Sequence, residues 1–163
     1  MIVKTIPKRS LNQIFALENE LPATYNTELD KYLKKIHNKN GYKFIGIVMR
    51  DEVRKLPCPS KCFFIVNYDE SHQGGSHWIA VVKSGTDVYH FGSYGISPLK
   101  EIKTRFSNCN IYYNDRSLQL TGSNICGHLC LSFIEHMIKK NSSFYKFISD
   151  AVQSSNRFKK DIS

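Results

Sequence analysis

Between residues 10 and 40 the apolar positions fall at three- and four-residue steps: Leu11, Ile14, Phe15 and Leu17, then Leu29, Tyr32, Leu33 and Ile36. That is the repeat of two amphipathic helices, with Pro22 between them and Asn40-Gly41 as the stop of the second. Phe44 to Val48 reads as a short strand, and the charged stretch from Arg50 to Ser60, carrying Pro57 and Pro59, as a loop. Cys62-Phe63-Phe64-Ile65-Val66-Asn67 is aromatic and β-branched, hence a central strand. A polar loop from Asp69 to Ser76, containing Gly74-Gly75, leads to a strand at His77–Val82, a turn at Gly85 and a returning strand at Val88–Phe91. Pro98 to Phe106 fits a basic helix, and Ile111-Tyr112-Tyr113 a last strand. Cys130, Phe133, Ile134, Met137 and Ile138 mark the next helix, and Thr121-Gly122-Ser123-Asn124 supplies turn and N-cap chemistry before it. Phe144, Ile148, Ala151 and Val152 give a final helix, after which residues 155–163 form a frayed basic tail. Helices, then a small sheet, then helices predict an α+β fold.

The length of 163 residues suits one domain over 1–163, with a helical part at 1–43. No apolar run reaches membrane-spanning length, and the N-terminus lacks a signal-peptide core, so the expectation is an unsecreted monomer without membrane contact. Five cysteines, an odd count, argue against a disulfide framework. Cys58 and Cys62 make a C-x3-C with no second pair, so no metal site is read from them. Twenty-three Lys and Arg against fourteen Asp and Glu leave a net charge of +9, clustered at Lys31–Lys43, Lys100–Arg105 and Lys139–Lys160. Such a surface suits a polyanion, nucleic acid among them, although no nucleic-acid motif accompanies it.

Candidate chemistry centres on Cys126, which falls at the first turn of its helix. Free N–H groups and the macrodipole there favour a thiolate. Buried packing is the ordinary role of a cysteine, so Cys126 by itself decides nothing. His77, at the head of a strand beside the chain's single tryptophan, Trp78, is the histidine best set to exchange a proton with it. Gln119, seven residues before Cys126, can share an oxyanion with the Cys126 N–H. A turn centred on Gly85 would pair 82 with 88, 80 with 90 and 77 with 93. Ser93, or Gly92 after a slip of one, would then stand opposite His77. Asp87 lies at the far end of that hairpin, roughly 16 Å from Gly92 at strand rise.

Phe44-Ile45-Gly46-Ile47, Cys62 to Asn67, Gly74-Gly75-Ser76-His77-Trp78-Ile79-Ala80, Phe91-Gly92-Ser93-Tyr94-Gly95 and Gln119 to Cys126-Gly127 with Cys130 occur in one order. Together, over Phe44 to Ile138, they resemble the adenovirus-type maturation cysteine proteases and their relatives in Polinton-like and adintovirus-like elements. These are kin to the SUMO-removing enzymes. The resemblance implies a papain-like core: a small mixed sheet flanked by helices, the nucleophile at a helix N-terminus. It implies Cys126 as nucleophile, His77 as general base and acid, Gln119 as oxyanion donor, and Trp78 with Gly127 along a glycine-selective channel. It implies cleavage after Gly-containing motifs in capsid precursors, in the virion or infected cell, with no metal or other obligatory cofactor. DNA as activating polyanion is implied too, and an activating peptide that joins a cysteine, for which Cys109 is the candidate. One departure is plain: Gly92 stands where the family carries the acid or amide that orients the histidine, with Ser93 beside it. A host-directed deubiquitinase or SUMO protease, and a silent module that only binds Gly-Gly tails, are the competing expectations.

Overall fold

A computed structural model describes residues 3–72 and 77–159. The first helices are short: α1 spans Leu11–Ala16 and α2 Asn26–Lys35. Ser10 caps α1, its hydroxyl accepting from Gln13 N at 3.2 Å while the Gln13 side chain accepts from Ser10 N at 2.8 Å. This reciprocal pair satisfies two of the donors that a helix start leaves open.

Five strands follow: β1 Lys43–Met49, β2 Lys61–Asn67, β3 Trp78–Ser84, β4 Asp87–Phe91 and β5 Asn110–Tyr113. They lie side by side in chain order, β1 and β2 parallel, β2–β3 and β3–β4 antiparallel, β4 and β5 parallel. The stretch expected as a loop at 50–60 begins with a 3-10 helix at Arg50–Lys55. Its Val53 is buried against the sheet, and Arg50 holds Glu101 through two hydrogen bonds of 2.9 and 3.0 Å. Helices α3 (Lys100–Arg105), α4 (Cys126–Met137) and α5 (Phe144–Lys159) complete the chain.

β2 is buried on both faces, which is why its sequence is a continuous apolar run and not an alternation. Phe63 and Ile65 face the side covered by α1, α2, α4 and α5; Phe64 and Val66 face the 3-10 helix and α3. On the first side Phe91 of β4 stacks on Phe133 of α4 at 5.1 Å, and Phe147 of α5 meets Phe91 edge-on at 5.5 Å. Aromatic pairs in these arrangements add roughly 0.5–1.5 kcal/mol each beyond area burial.

Two expectations change. The β3–β4 pairing sets Ala80 against Phe91, Val82 against Tyr89 and Ser84 against Asp87, one residue off the expected register. The turn has only two central residues, Gly85-Thr86, and Gly85 takes φ +61, the conformation its lack of a side chain permits. The C-terminal tail, expected to fray from 155, stays helical to Lys159. The reason is burial of Ser155, whose hydroxyl donates to Leu118 O at 2.9 Å.

Candidate active site

Cys126 is the first residue of α4, as expected, but Thr121–Asn124 do not cap the helix. The N-cap residue is Ile125, with no side-chain cap bond. The N-cap lies two residues past Ser123, which is turned to other partners: its hydroxyl donates to Glu18 Oε2 at 2.9 Å, and its carbonyl accepts from Gln119 Nε2 at 2.6 Å. With no side chain capping them, the first N–H groups of α4 are available to an anion. The backbone at Trp78, Gly127 and Cys126 itself acts to lower the Cys126 thiol pKa. Burial outweighs this and pushes the thiol above its ordinary range, so the expected bias toward thiolate is reversed in the resting molecule. One turn on, the Cys130 thiol donates to Trp78 O at 3.4 Å and ties α4 to the start of β3.

His77 immediately precedes β3. Its carbonyl accepts from Tyr68 N at 2.9 Å. Its ring lies between Tyr68 and Tyr94, with centroids 5.7 and 4.7 Å away. Only 8% of the residue is exposed, and burial lowers its pKa to about 4. At neutral pH both imidazole and thiol therefore rest uncharged. His77, Trp78, Gln119 and Cys126 line one cleft of about 470 Å³, together with Asn67, Tyr94 and the segment Ala23–Asn26. The expected catalytic residues are thus brought together.

Gln119 is buried and held at both ends. Its Oε1 accepts a short hydrogen bond from the Ser93 hydroxyl, and its Nε2 donates to Ser123 O. Ser93 thus positions Gln119 and is not directed at His77, contrary to one expectation for the third-member position. Gly92 is fixed by Asn114, whose Oδ1 accepts from Gly92 N at 3.1 Å while its Nδ2 donates to Gly92 O at 2.7 Å. A Cβ at Gly92 would meet Ile79 Cγ1 at 3.8 Å and His90 Cε1 at 3.9 Å, ordinary contacts. Buried His90 has both ring nitrogens unpartnered and a pKa lowered to about 4, chiefly by burial.

Gly127 does not line the cleft, which corrects the channel role expected for it. Its missing side chain is filled by Thr24, whose Oγ1 would lie 1.9 Å from a Cβ there. Thr24 forms the cleft wall in its place, and its carbonyl accepts from Trp78 Nε1 at 3.3 Å. Cys109 is a half-buried free thiol just before β5, at the end of the hairpin away from His77, where Asn110 pairs with Asp87. Gly74-Gly75-Ser76 lie outside the described residues.

Sequence reasoning missed Glu18. This carboxylate is buried, and its Oε2 accepts from Leu120 N at 2.6 Å and from the Ser123 hydroxyl. It pins the loop between Gln119 and Cys126 from more than one hundred positions away. Tyr94 was missed too; burial first, then nearby Cys126 and Glu18, raises its phenol pKa. No local signal marks Glu18, whereas Tyr94 lies within the string Phe91–Gly95, which could have pointed to it.

No family model and no curated protein matches the sequence. Among solved structures, the ASFV pS273R protease aligns with a TM-score of 0.56 at 17% identity, covering 81% of this chain and 63% of that one. The chain thus spans less than two thirds of that protease's length. A SUMO protease, Ulp1, with its catalytic cysteine oxidised to a sulfinic acid, aligns with a TM-score of 0.49 at 12% identity, over 91% of this chain and 83% of that one. The mixed five-stranded sheet with flanking helices is the protease fold expected from the sequence.

Proposed function

We propose that this chain is a cysteine endopeptidase with Cys126 as nucleophile and His77 as its general base. The observation that carries this reading is the single cleft in which Cys126, at the uncapped start of α4, meets His77, Trp78 and Gln119. The likeness in fold to the ASFV pS273R protease supports it.

Because both groups rest neutral, thiol ionisation is coupled to attack. As sulfur adds to the scissile carbonyl, the thiol proton passes to the His77 imidazole. The oxyanion is received by the Cys126 N–H and by the second Nε2 hydrogen of Gln119, the first being held by Ser123 O. Collapse expels the amine, which takes the proton back from His77, and leaves a thioester. Water, deprotonated by His77, then releases the acid and restores the thiol.

The substrate we favour is a Gly-containing segment of a viral structural precursor, on the strength of the motif resemblance and of Trp78 as a wall that favours a small residue at the cleft. Removal of a Gly-Gly-tailed modifier is the alternative within the same chemistry. A binding-only reading rests on one observation, Gly92 in place of an orienting acid. Incubation with a Gly-Gly vinyl probe and with a Gly-Gly-X peptide decides. Labelling and cleavage that vanish in folded Cys126→Ala are expected, and cleavage surviving that change overturns the assignment.

A further inference from the structure

The C-x3-C pair is unused by this chemistry, yet the fold gives it a defined setting. The loop at 56–60 joins the 3-10 helix to β2 and is pinned at three points. Arg105 Nη2 donates to Leu56 O at 3.0 Å, Lys83 Nζ to Pro59 O at 3.4 Å, and Gly85 N to Ser60 O at 2.8 Å. Two cations from different elements therefore bracket Cys58, which is half-buried and reachable from solvent. Cys62, fully buried at the start of β2, shares the sheet face of Phe64 and Val66, against which Cys58 also packs. Each thiol is the largest influence on the other's ionisation, Cys62 acting as donor to Cys58.

We propose that Cys58 and Cys62 form a peroxide-reactive dithiol, with Cys58 the attacking sulfur and Cys62 the resolving one. The hydrogen bond from Cys62 comes first, then Arg105 and Lys83; together they lower the Cys58 pKa to about 7 against the cost of burial. Cys62 moves the other way, because it is the donor and is buried. Of Cys58 and Cys126, the thiol readier to ionise at neutral pH is thus Cys58, since burial pushes the Cys126 thiol up. A metal is not the occupant indicated, since no group of three or more Cys, His, Asp or Glu converges among the described residues.

The chemistry balances with hydrogen peroxide or an alkyl hydroperoxide as oxidant. The Cys58 thiolate attacks one peroxide oxygen. The S–O bond forms, the O–O bond breaks, and hydroxide or alkoxide leaves with the electron pair. Sulfur is oxidised by two electrons to the sulfenic acid. Cys62 then attacks that sulfur, the S–S bond forms, the S–OH bond breaks, and hydroxide takes up the Cys62 proton as water. The sum is two thiols and one peroxide to one disulfide and two waters, or water and an alcohol.

The test treats the intact chain with about one equivalent of hydrogen peroxide, blocks free thiols with N-ethylmaleimide, and maps peptides by mass spectrometry. A Cys58–Cys62 cross-link, two hydrogens lighter than the reduced peptide and reversed by dithiothreitol, should precede oxidation of Cys109 and Cys126. In Cys62→Ser the sulfenic acid should persist at Cys58 and be trapped by dimedone. In Cys58→Ser, which changes an accessible loop residue and covers the case of a misfolded Cys62→Ser, Cys62 should stay reduced at the same dose. Replacing Arg105 and Lys83 together by Gln should slow Cys58 alkylation at pH 7, by up to about threefold once the greater nucleophilicity of a more basic thiolate is allowed for. Cys58 and Cys62 both remaining free to alkylate while Cys109 is oxidised would overturn the proposal. So would dimedone capture at Cys62 in Cys58→Ser.

Discussion

Gly92→Asp is the change that most directly tests how His77 is governed. The β3–β4 ladder ends at Ala80 and Phe91, and Gly92 follows it with its Cβ position 3.9 Å from Cε1 of His90, the histidine whose pKa His77 in turn helps to lower. The backbone tolerates a side chain there, since a Cβ meets nothing closer than 3.8 Å. The new carboxylate would find His90 first and His77 next. An opposite charge within roughly 4–6 Å raises a histidine pKa by roughly 1–3 pH units, or roughly 1.4–4 kcal/mol in favour of the imidazolium. From about 4 in the native chain, His77 would then titrate at roughly 5–7. The assay is kcat/KM for a Gly-Gly-X peptide between pH 4 and 9, read beside iodoacetamide alkylation of Cys126. The acidic limb should move up by that amount, and turnover at pH 7 should rise because the proton leaves sulfur more readily. An unmoved limb, or a lower neutral rate, in a variant that melts like the native chain would refute the reasoning.

Other expectations follow from the same geometry. Glu18→Ala removes two hydrogen bonds to a charged acceptor, each worth roughly 1.5–3 kcal/mol, and so loosens the loop that carries Gln119. Its kcat should fall about tenfold or more, with partial recovery in Glu18→Gln; an unchanged kcat in folded Glu18→Ala would exclude a positioning role. His77 and His90 are both held near 4 while the unfolded chain titrates near the usual 6.5, so the unfolded state binds more protons between those values. Stability should be complete above pH 6.5 and decline as pH falls toward 4, by up to roughly 3 kcal/mol per histidine; denaturant melts at pH 7 and 4.5 that coincide would contradict this. Finally, if the +9 surface binds nucleic acid, affinity for a random duplex should fall steeply from low to physiological salt, and a flat titration removes that partner.

Much of this molecule can be read from its apolar pattern. The aromatic run at 62–67 announces a strand buried on both faces, and the spacing from Cys130 to Ile138 announces α4. What the pattern could not reveal is decided by distant partners. Ser123 has the chemistry of a cap, but Glu18, in another part of the chain, takes its hydroxyl. The register slipped by one because a turn centred on Gly85 and a two-residue Gly85-Thr86 turn look alike until the ladder is seen. Likewise, a helix start predicts a low thiol pKa only while the thiol is solvated, and solvation at Cys126 is set by tertiary packing. The candidate quartet of His77, Trp78, Gln119 and Cys126 was legible because its members sit in short, distinctive strings. The groups that hold it, Glu18, Thr24 and Asn114, sit in strings that say nothing, and Tyr94 sits in a distinctive string without marking itself.

The loop before Cys126 is gripped from both directions of the chain. Glu18, just after α1, binds Leu120 and Ser123, while Ser155 and Lys159 of α5 bind Leu118 and Ser117. Helices α1 and α5 also touch each other, Ser154 donating to Asn12 at 2.8 Å. In chain order Cys126 and His77 both precede Ser155, so the part of the clasp that α5 supplies closes only after both have been made. The peptidase proposed above would thus stay incompetent until α5 has folded onto that loop, and a growing chain would be spared attack by its own unfinished cleft.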